Sequence, residues 1–173
     1  MTALRHAAHS WGSTESERAL SLPCDDLIPE APIVLNRAVD VDAPPPTVFR
    51  WLCQLRTAPY SYDLIDNFGR RSPRELTPGL ERLEPGQRFM TIFRLASFEQ
   101  DRSITLVRGS GLAVSYAALE GRLLMRIRSR TRRSLLPYLD LPMARKQLLT
   151  LAGLAERTGG RVEDVTADSV ARR

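Results

Sequence analysis

Residues 111–128 read GLAVSYAALEGRLLMRIR, two runs of alternating residues joined by Glu120-Gly121. Side chains on a strand point alternately to opposite faces, so Leu123, Met125 and Ile127 share one face of the second run while Arg122, Arg126 and Arg128 share the other. An acidic residue followed by glycine between two such runs is a tight-turn signal, and the pair reads as an antiparallel hairpin. The period of two extends back to Gln87, with Phe89, Thr91, Phe93 and Leu95 alternating against Arg88, Met90, Ile92 and Arg94. Strands are expected at 87–95, 97–100, 103–108, 111–119 and 122–130, with turns at Gln100-Asp101, Gly109-Ser110-Gly111 and Glu120-Gly121. This is an antiparallel meander, and the apolar-in, cation-out pattern of its last strand predicts that the arginines line a solvent face.

Upstream, Ile33 to Val41 reads as a strand, with Leu35, Val39 and Val41 on one face. Asp42-Ala43-Pro44-Pro45-Pro46 ends it, and proline is tolerated in the first turn of a helix because its missing N–H would have no partner there. Val48, Trp51, Leu52 and Leu55 then recur at helical spacing, with Arg50 and Gln54 expected on the polar side. Pro59 stops this helix, and Tyr60 to Gly69 reads as a second short helical piece. Downstream of the meander, residues 138–158 return to helical spacing. Met143, Leu148, Leu151, Ala152 and Ala155 form the apolar face, Arg145, Lys146, Glu156 and Arg157 lie opposite, and Gly159-Gly160 is the expected stop. Residues 1–32 show no sustained period and read as an N-terminal arm or lid. The domain proper is 33–158, and 159–173 is a polar C-terminal tail expected to fray.

The whole chain has 173 residues, 43% of them hydrophobic and 26% charged, so it can bury a core and is neither collagen-like nor disordered. No run approaches the roughly 18 consecutive apolar residues of a membrane span, and the N-terminus lacks a secretory apolar stretch, so no membrane span and a cytoplasmic address are expected. Of 25 basic residues all but Lys146 are arginine, and six fall between Arg122 and Arg133 with no acid among them. No aromatic residues interleave that stripe as a stacking platform would require, so a nucleic-acid partner is not expected. Cys24 and Cys53 form no C-x-x-C and are read as reduced thiols.

Chemistry is narrowed by what is missing. His6 and His9 are the only histidines and both lie in the arm, so residues 33 onward cannot build a Ser-His-Asp triad or a His-rich metal site. No phosphate-cradling glycine motif is present, and neither a metal nor another cofactor is expected. The most suggestive polar group is Tyr60, Tyr62 and Asp63, where phenols and a carboxylate beside an apolar space could orient a carbonyl or move a proton. The same residues would equally serve as a packed and hydrogen-bonded helix end. Arg94, Glu99 and Tyr116 are further polar candidates whose face depends on strand register.

The run Ala38-Val39-Asp40-Val41-Asp42-Ala43-Pro44-Pro45 into Val48-Phe49-Arg50-Trp51-Leu52 resembles the opening of the SRPBCC superfamily, the START-domain and polyketide-cyclase-like proteins. Tyr60-Ser61-Tyr62-Asp63, Leu83-Glu84-Pro85-Gly86-Gln87 and Met143 to Glu156 fall in the matching order, and the resemblance covers roughly residues 33–158. It implies an α+β helix-grip fold: a curved antiparallel sheet around a long C-terminal helix, with two short helices after the first strand. It also implies a cavity that takes a small hydrophobic molecule, such as a lipid, sterol or polyketide. Trp51, Tyr62, Phe89, Phe93, Tyr116, Met125 and Met143 are then the expected ligand-binding residues. The alternative is a cyclase, aromatase or dehydratase in which Tyr60, Tyr62 or Asp63 acts as acid or base. A superfold hosts many functions, so the choice rests on the site.

Overall fold

The computed structural model describes residues 8–61, 71–131 and 135–171, with the side chains of residue 136 and residues 160–171 outside that description. Two short helices, α1 (Glu15–Ala19) and α2 (Pro23–Leu27), precede strand β1 (Ile33–Asp40) and helix α3 (Pro45–Cys53), which tightens into a 3-10 turn over Gln54–Arg56. Strands β2 (Arg88–Phe89), β3 (Phe93–Glu99), β4 (Ser103–Arg108), β5 (Leu112–Leu119) and β6 (Arg122–Ser129) follow, and helix α4 (Leu136–Ala171) ends the chain. All pairings are antiparallel in one six-stranded sheet, in the order β1-β6-β5-β4-β3-β2. The architecture is α+β, with α3 and α4 against one face of the sheet.

That face is apolar because the alternation is in register across the strands. Leu35 opposes Ile127, Val39 opposes Leu123, Val114 opposes Ile127, and Leu95 opposes Leu106. Each pair puts carbon on the same side. Val48, Trp51, Leu52 and Leu55 of α3 and the turn after it are buried there, as their spacing predicts. Gln54 does not join Arg50 outside. It is fully buried, accepting from the Thr77 amide at 2.9 Å and donating to the Thr77 carbonyl at 3.3 Å, so it clamps the loop before β2. The second short helix expected after Pro59 falls mostly outside the described residues.

Two strand boundaries differ from expectation. The run expected at 87–95 breaks at Met90 and Thr91, which turn the chain with φ of 42° and 67°, although neither residue type signals a turn. β3 then runs unbroken through the expected break at residue 96, where a register shift between Leu95 and Ser97 accommodates the extra residue. The α4 backbone also passes through Gly159-Gly160, which had been read as its stop. Glycine in a helix interior costs about 1 kcal/mol relative to alanine but does not forbid the helix. A Cβ built at Gly159 would stand 3.8 Å from Ala43 Cβ and Pro44 Cδ, an ordinary contact.

The opposite face is covered over β1, β6 and β5, while at β3 Arg94 and Glu99 stay exposed. The arm crosses it, contrary to the solvent face expected for the arginines, and it does so in two helices rather than without regular structure. Leu22, Cys24 and Ile28 of the arm pack on Ala38, Ala113, Ala117 and Leu124 of the sheet, forming a second apolar layer. Helices of five residues are unstable alone, and the sheet arginines supply what they lack. The Arg126 guanidinium donates to the carbonyls of Glu17, Arg18 and Leu20, the C-terminal end of α1, at 3.1, 2.9 and 2.7 Å. Arg128 donates to those of Ile28 and Pro29 after α2, at 2.7 and 2.6 Å. Last-turn carbonyls are orphan acceptors at the negative end of a helix, so a cation there is favourable twice over.

At the other end of α1, Thr14 and Glu17 form a reciprocal capping box. Glu17 also takes a two-pronged bond from Arg122, at 2.6 and 3.1 Å, which holds its carboxyl below the ordinary range. The chain reaches this face by passing the free edge of β1, where the Ala38 amide donates to the Trp11 carbonyl at 3.1 Å. Gly12 makes the crossing possible. Its φ is +71°, and a Cβ there would stand 2.0 Å from the Ala38 oxygen.

Candidate functional site

The face of the sheet beneath α4 is carbon except at a few positions, and those converge under the N-terminal half of the helix. Tyr116 projects from β5 on the same face as Val114 and Ala118, and its hydroxyl donates to Gln147 Oε1 of α4 at 2.7 Å. Gln147 Nε2 in turn donates to the Pro59 carbonyl at 2.6 Å and approaches Met90 Sδ at 3.3 Å. One side chain therefore ties α4 to β5, to the chain before Tyr60 and to the turn after β2. Burial pushes the Tyr116 hydroxyl far above its ordinary pKa, and the charge of Asp140 adds to that shift.

Arg37 is the second polar group on this face, in line with Leu35 and Val39 of β1, and it is only 1% exposed. It donates to the Asn36 carbonyl at 3.0 Å and the Ala8 carbonyl at 2.7 Å, with longer contacts of 3.4 Å to the Pro137 carbonyl and Asp140 Oδ2. Its Nε finds no acceptor among the described residues. Burial lifts the Asp140 carboxyl to about 6, which the single long contact with Arg37 only partly offsets. A carboxyl poised near neutrality beside a phenol and a guanidinium could exchange a proton or accept a ligand donor.

The expected site residues fall in different places. Trp51 is core: its indole donates to Thr158 Oγ at 3.0 Å and its ring meets Tyr60 edge-on, with centroids 6.0 Å apart. Tyr60 is buried in the left-handed region, at φ 55°. Phe89, Tyr116 and Met125 are buried on the α4 face, and Phe93 packs against them half-buried. Met143, expected on the inward side of the helix, is 39% exposed at the rim, because Ala144, Leu148, Leu151 and Ala155 take the inward positions. Arg94 and Glu99 are exposed rather than inside, Arg94 bonded to the Gly86 carbonyl and Glu99 paired with Arg102. Tyr62 and Asp63 lie outside the described residues. Arg37, Asp140 and Gln147 were missed. Arg37 carried a signal, a lone cation in phase with Leu35 and Val39 on an apolar strand face.

The centre of the interface, under Leu148 and Leu151 of α4, is filled. Leu52, Phe89, Ile104, Leu106, Leu123, Leu148 and Leu151 have no accessible surface, either to bulk water or to an internal void. Met90 and Phe93 are half-buried and pack against this core, with Met90 Sδ beside Gln147 Nε2. Cys24 and Cys53 are both buried free thiols on opposite faces of the sheet, and burial pushes Cys53 up to about 12, so neither is a nucleophile at neutral pH. Among the described residues no three His, Cys, Asp or Glu side chains gather as metal ligands would, and no helix is long and apolar enough to cross a membrane. Comparison of the chain with protein-family models, with curated proteins and with solved structures gives no match.

Proposed function

We propose that the chain is a helix-grip domain of the SRPBCC superfamily and that it binds a small hydrophobic molecule between the sheet and the first three turns of α4. The element order is compatible with that fold: one strand, a helix, an antiparallel meander and a long final helix. The observation that carries the reading is the convergence of Tyr116, Gln147, Arg37 and Asp140 on an otherwise apolar face, beside Met90 and Phe93. Apolar walls with a few fixed polar groups are what orient a small hydrophobic ligand. Native mass spectrometry of the purified chain, followed by organic extraction, tests it. One retained apolar molecule is expected, released by Phe93→Asp. A bare protein mass with no uptake of oleate or a sterol would contradict it.

One observation favours the enzyme reading as a second. Asp140 titrates near neutrality within electrostatic reach of the Tyr116 hydroxyl, so an acid–base role in the same space would fall to this pair. Turnover of a polyketide-like substrate, lost in Asp140→Asn and Tyr116→Phe while ligand retention persists, would establish it. Turnover unaffected by both would remove it.

A further inference from the structure

The outward side of α4 is a large surface that neither the fold nor the proposed site uses. Leu135 and Leu139 are 65% and 68% exposed, and Tyr138, Met143 and Leu149 are each more than a third exposed. At 100° per residue Leu135, Leu139, Leu149, Pro142 and Lys146 fall on the side opposite Ala144, Leu148, Leu151 and Ala155, with Tyr138, Met143 and Arg145 on its flanks. The stripe is roughly 20 Å long at 1.5 Å per residue. Isolated exposed apolar residues need no explanation, but a continuous patch does.

Two features say what covers it. Arg145 and Lys146 stand exposed in the middle of the stripe, and among the described residues no carboxylate pairs with either. The only acid between residues 135 and 150 is Asp140, which turns inward to Arg37. The arm also contributes. Trp11 lies under the Arg145 guanidinium, 5.5 Å from ring centroid to carbon, and with Leu141, Pro142, Lys146 and Leu149 it bounds an open groove of about 370 Å³. Leucines, a methionine, an interfacial tyrosine and tryptophan, and cations without acids are the composition of a surface that settles into lipid headgroups. No carboxylate on this face complements those cations across a two-fold axis, whereas anionic headgroups would.

We propose that the outward face of α4, with Trp11, docks the protein on an anionic membrane surface, leaving the chain peripheral to the bilayer. The inference stands apart from the ligand reading, since it concerns the other side of the helix. The test is co-sedimentation of the full chain with vesicles of phosphatidylcholine alone and of phosphatidylcholine with phosphatidylglycerol. Binding to the anionic vesicles only is expected, weakening with salt. Each cation near a charged leaflet is worth about fivefold in affinity, so Arg145→Gln with Lys146→Gln should weaken binding roughly 30-fold. Leu135→Ser with Leu139→Ser should weaken it at least as much, with the melting curve unchanged because these side chains are already exposed. No binding, or equal binding to both vesicles that the double glutamine variant leaves intact, would overturn the proposal. So would a dimer in sedimentation velocity that the leucine variant dissolves.

Discussion

Replacing Arg126 with methionine keeps most of its stem volume and removes the charge that organises the arm. Arg126 is 4% exposed and donates to five acceptors: the carbonyls of Glu17, Arg18 and Leu20, Asn36 Oδ1 at 2.8 Å and Asp25 Oδ2 at 2.6 Å. Removing one partner of a buried charged network costs about 3–5 kcal/mol, because the groups left behind lose their bonds without regaining water. Asp25 is the least affected, since Arg128 still reaches it at 2.8 Å. The α1 carbonyls and Asn36 can recover only if the arm lifts into solvent, which sacrifices the packing of Leu22, Cys24 and Ile28. The loss should therefore appear either as a urea midpoint lowered by about 3–5 kcal/mol divided by the m-value, or as a smaller shift with the arm released. Urea unfolding with hydrogen exchange over residues 14–28 separates these outcomes. A midpoint unchanged within about 0.5 kcal/mol, with arm amides still protected, would refute the capping argument.

Other changes probe other links. Gly12→Ala places a methyl on the Ala38 oxygen in a backbone conformation alanine avoids, and should cost at least about 1–3 kcal/mol. The Ala38 amide, which donates to Trp11, would then lose its exchange protection. Tyr116→Phe strands Gln147 Oε1 in a buried place and should lower stability by about 1–3 kcal/mol in thermal unfolding; an unchanged melting curve would contradict the bond. Two carboxyls should give opposite pH slopes. Glu17 is lowered below its ordinary 4.5, so its contribution is complete above that pH and is lost as pH falls through the lowered value. Asp140 is raised from 3.8 to about 6, so the native state holds the proton more tightly and stability falls as pH rises between those values, by about 3 kcal/mol. Carboxyl carbon NMR should show Asp140 titrating near 6, and Arg37→Met should push it higher still.

The sheet was legible because its signal is local: Leu123, Met125 and Ile127 alternate, and Glu120-Gly121 turns the chain wherever they sit. The α3 face was legible for the same reason. The burial of Arg126 and Arg128 was not, because alternation reports two faces without saying what covers the second. A subtler signal was present. Ala113, Ser115 and Ala117 give β5 a face of small side chains, which suits a closely packed layer better than open water, and the Cys24 amide indeed reaches Ser115 Oγ at 3.0 Å. Thr14-Glu15-Ser16-Glu17 likewise spelled a capping box inside a segment read as irregular. The turn at Met90-Thr91 had no such mark, since neither residue favours positive φ and tertiary contacts impose it, among them the Met90 amide bonded to the Leu55 carbonyl at 2.9 Å. Of the residues in the proposed site, Met125 and Phe93 were named as members of an apolar strand face and Tyr116 as a polar candidate whose face hung on register. Asp140 and Gln147 were not, because their orientation depends on how α4 rolls on the sheet.

The chain has four methionines: Met125 is in the core beneath α4, Met90 packs against it beside the proposed ligand space, Met143 is 39% exposed on α4, and Met1 precedes the described residues. Methyl-labelled methionine spectra recorded during titration with oleate or a hydroxylated naphthalene read that space directly. The account predicts saturable shifts of Met90 and Met125, with Met1 and the outward Met143 unmoved. Saturable uptake of either probe that leaves the Met90 and Met125 resonances in place, or no uptake of any apolar probe, would contradict it.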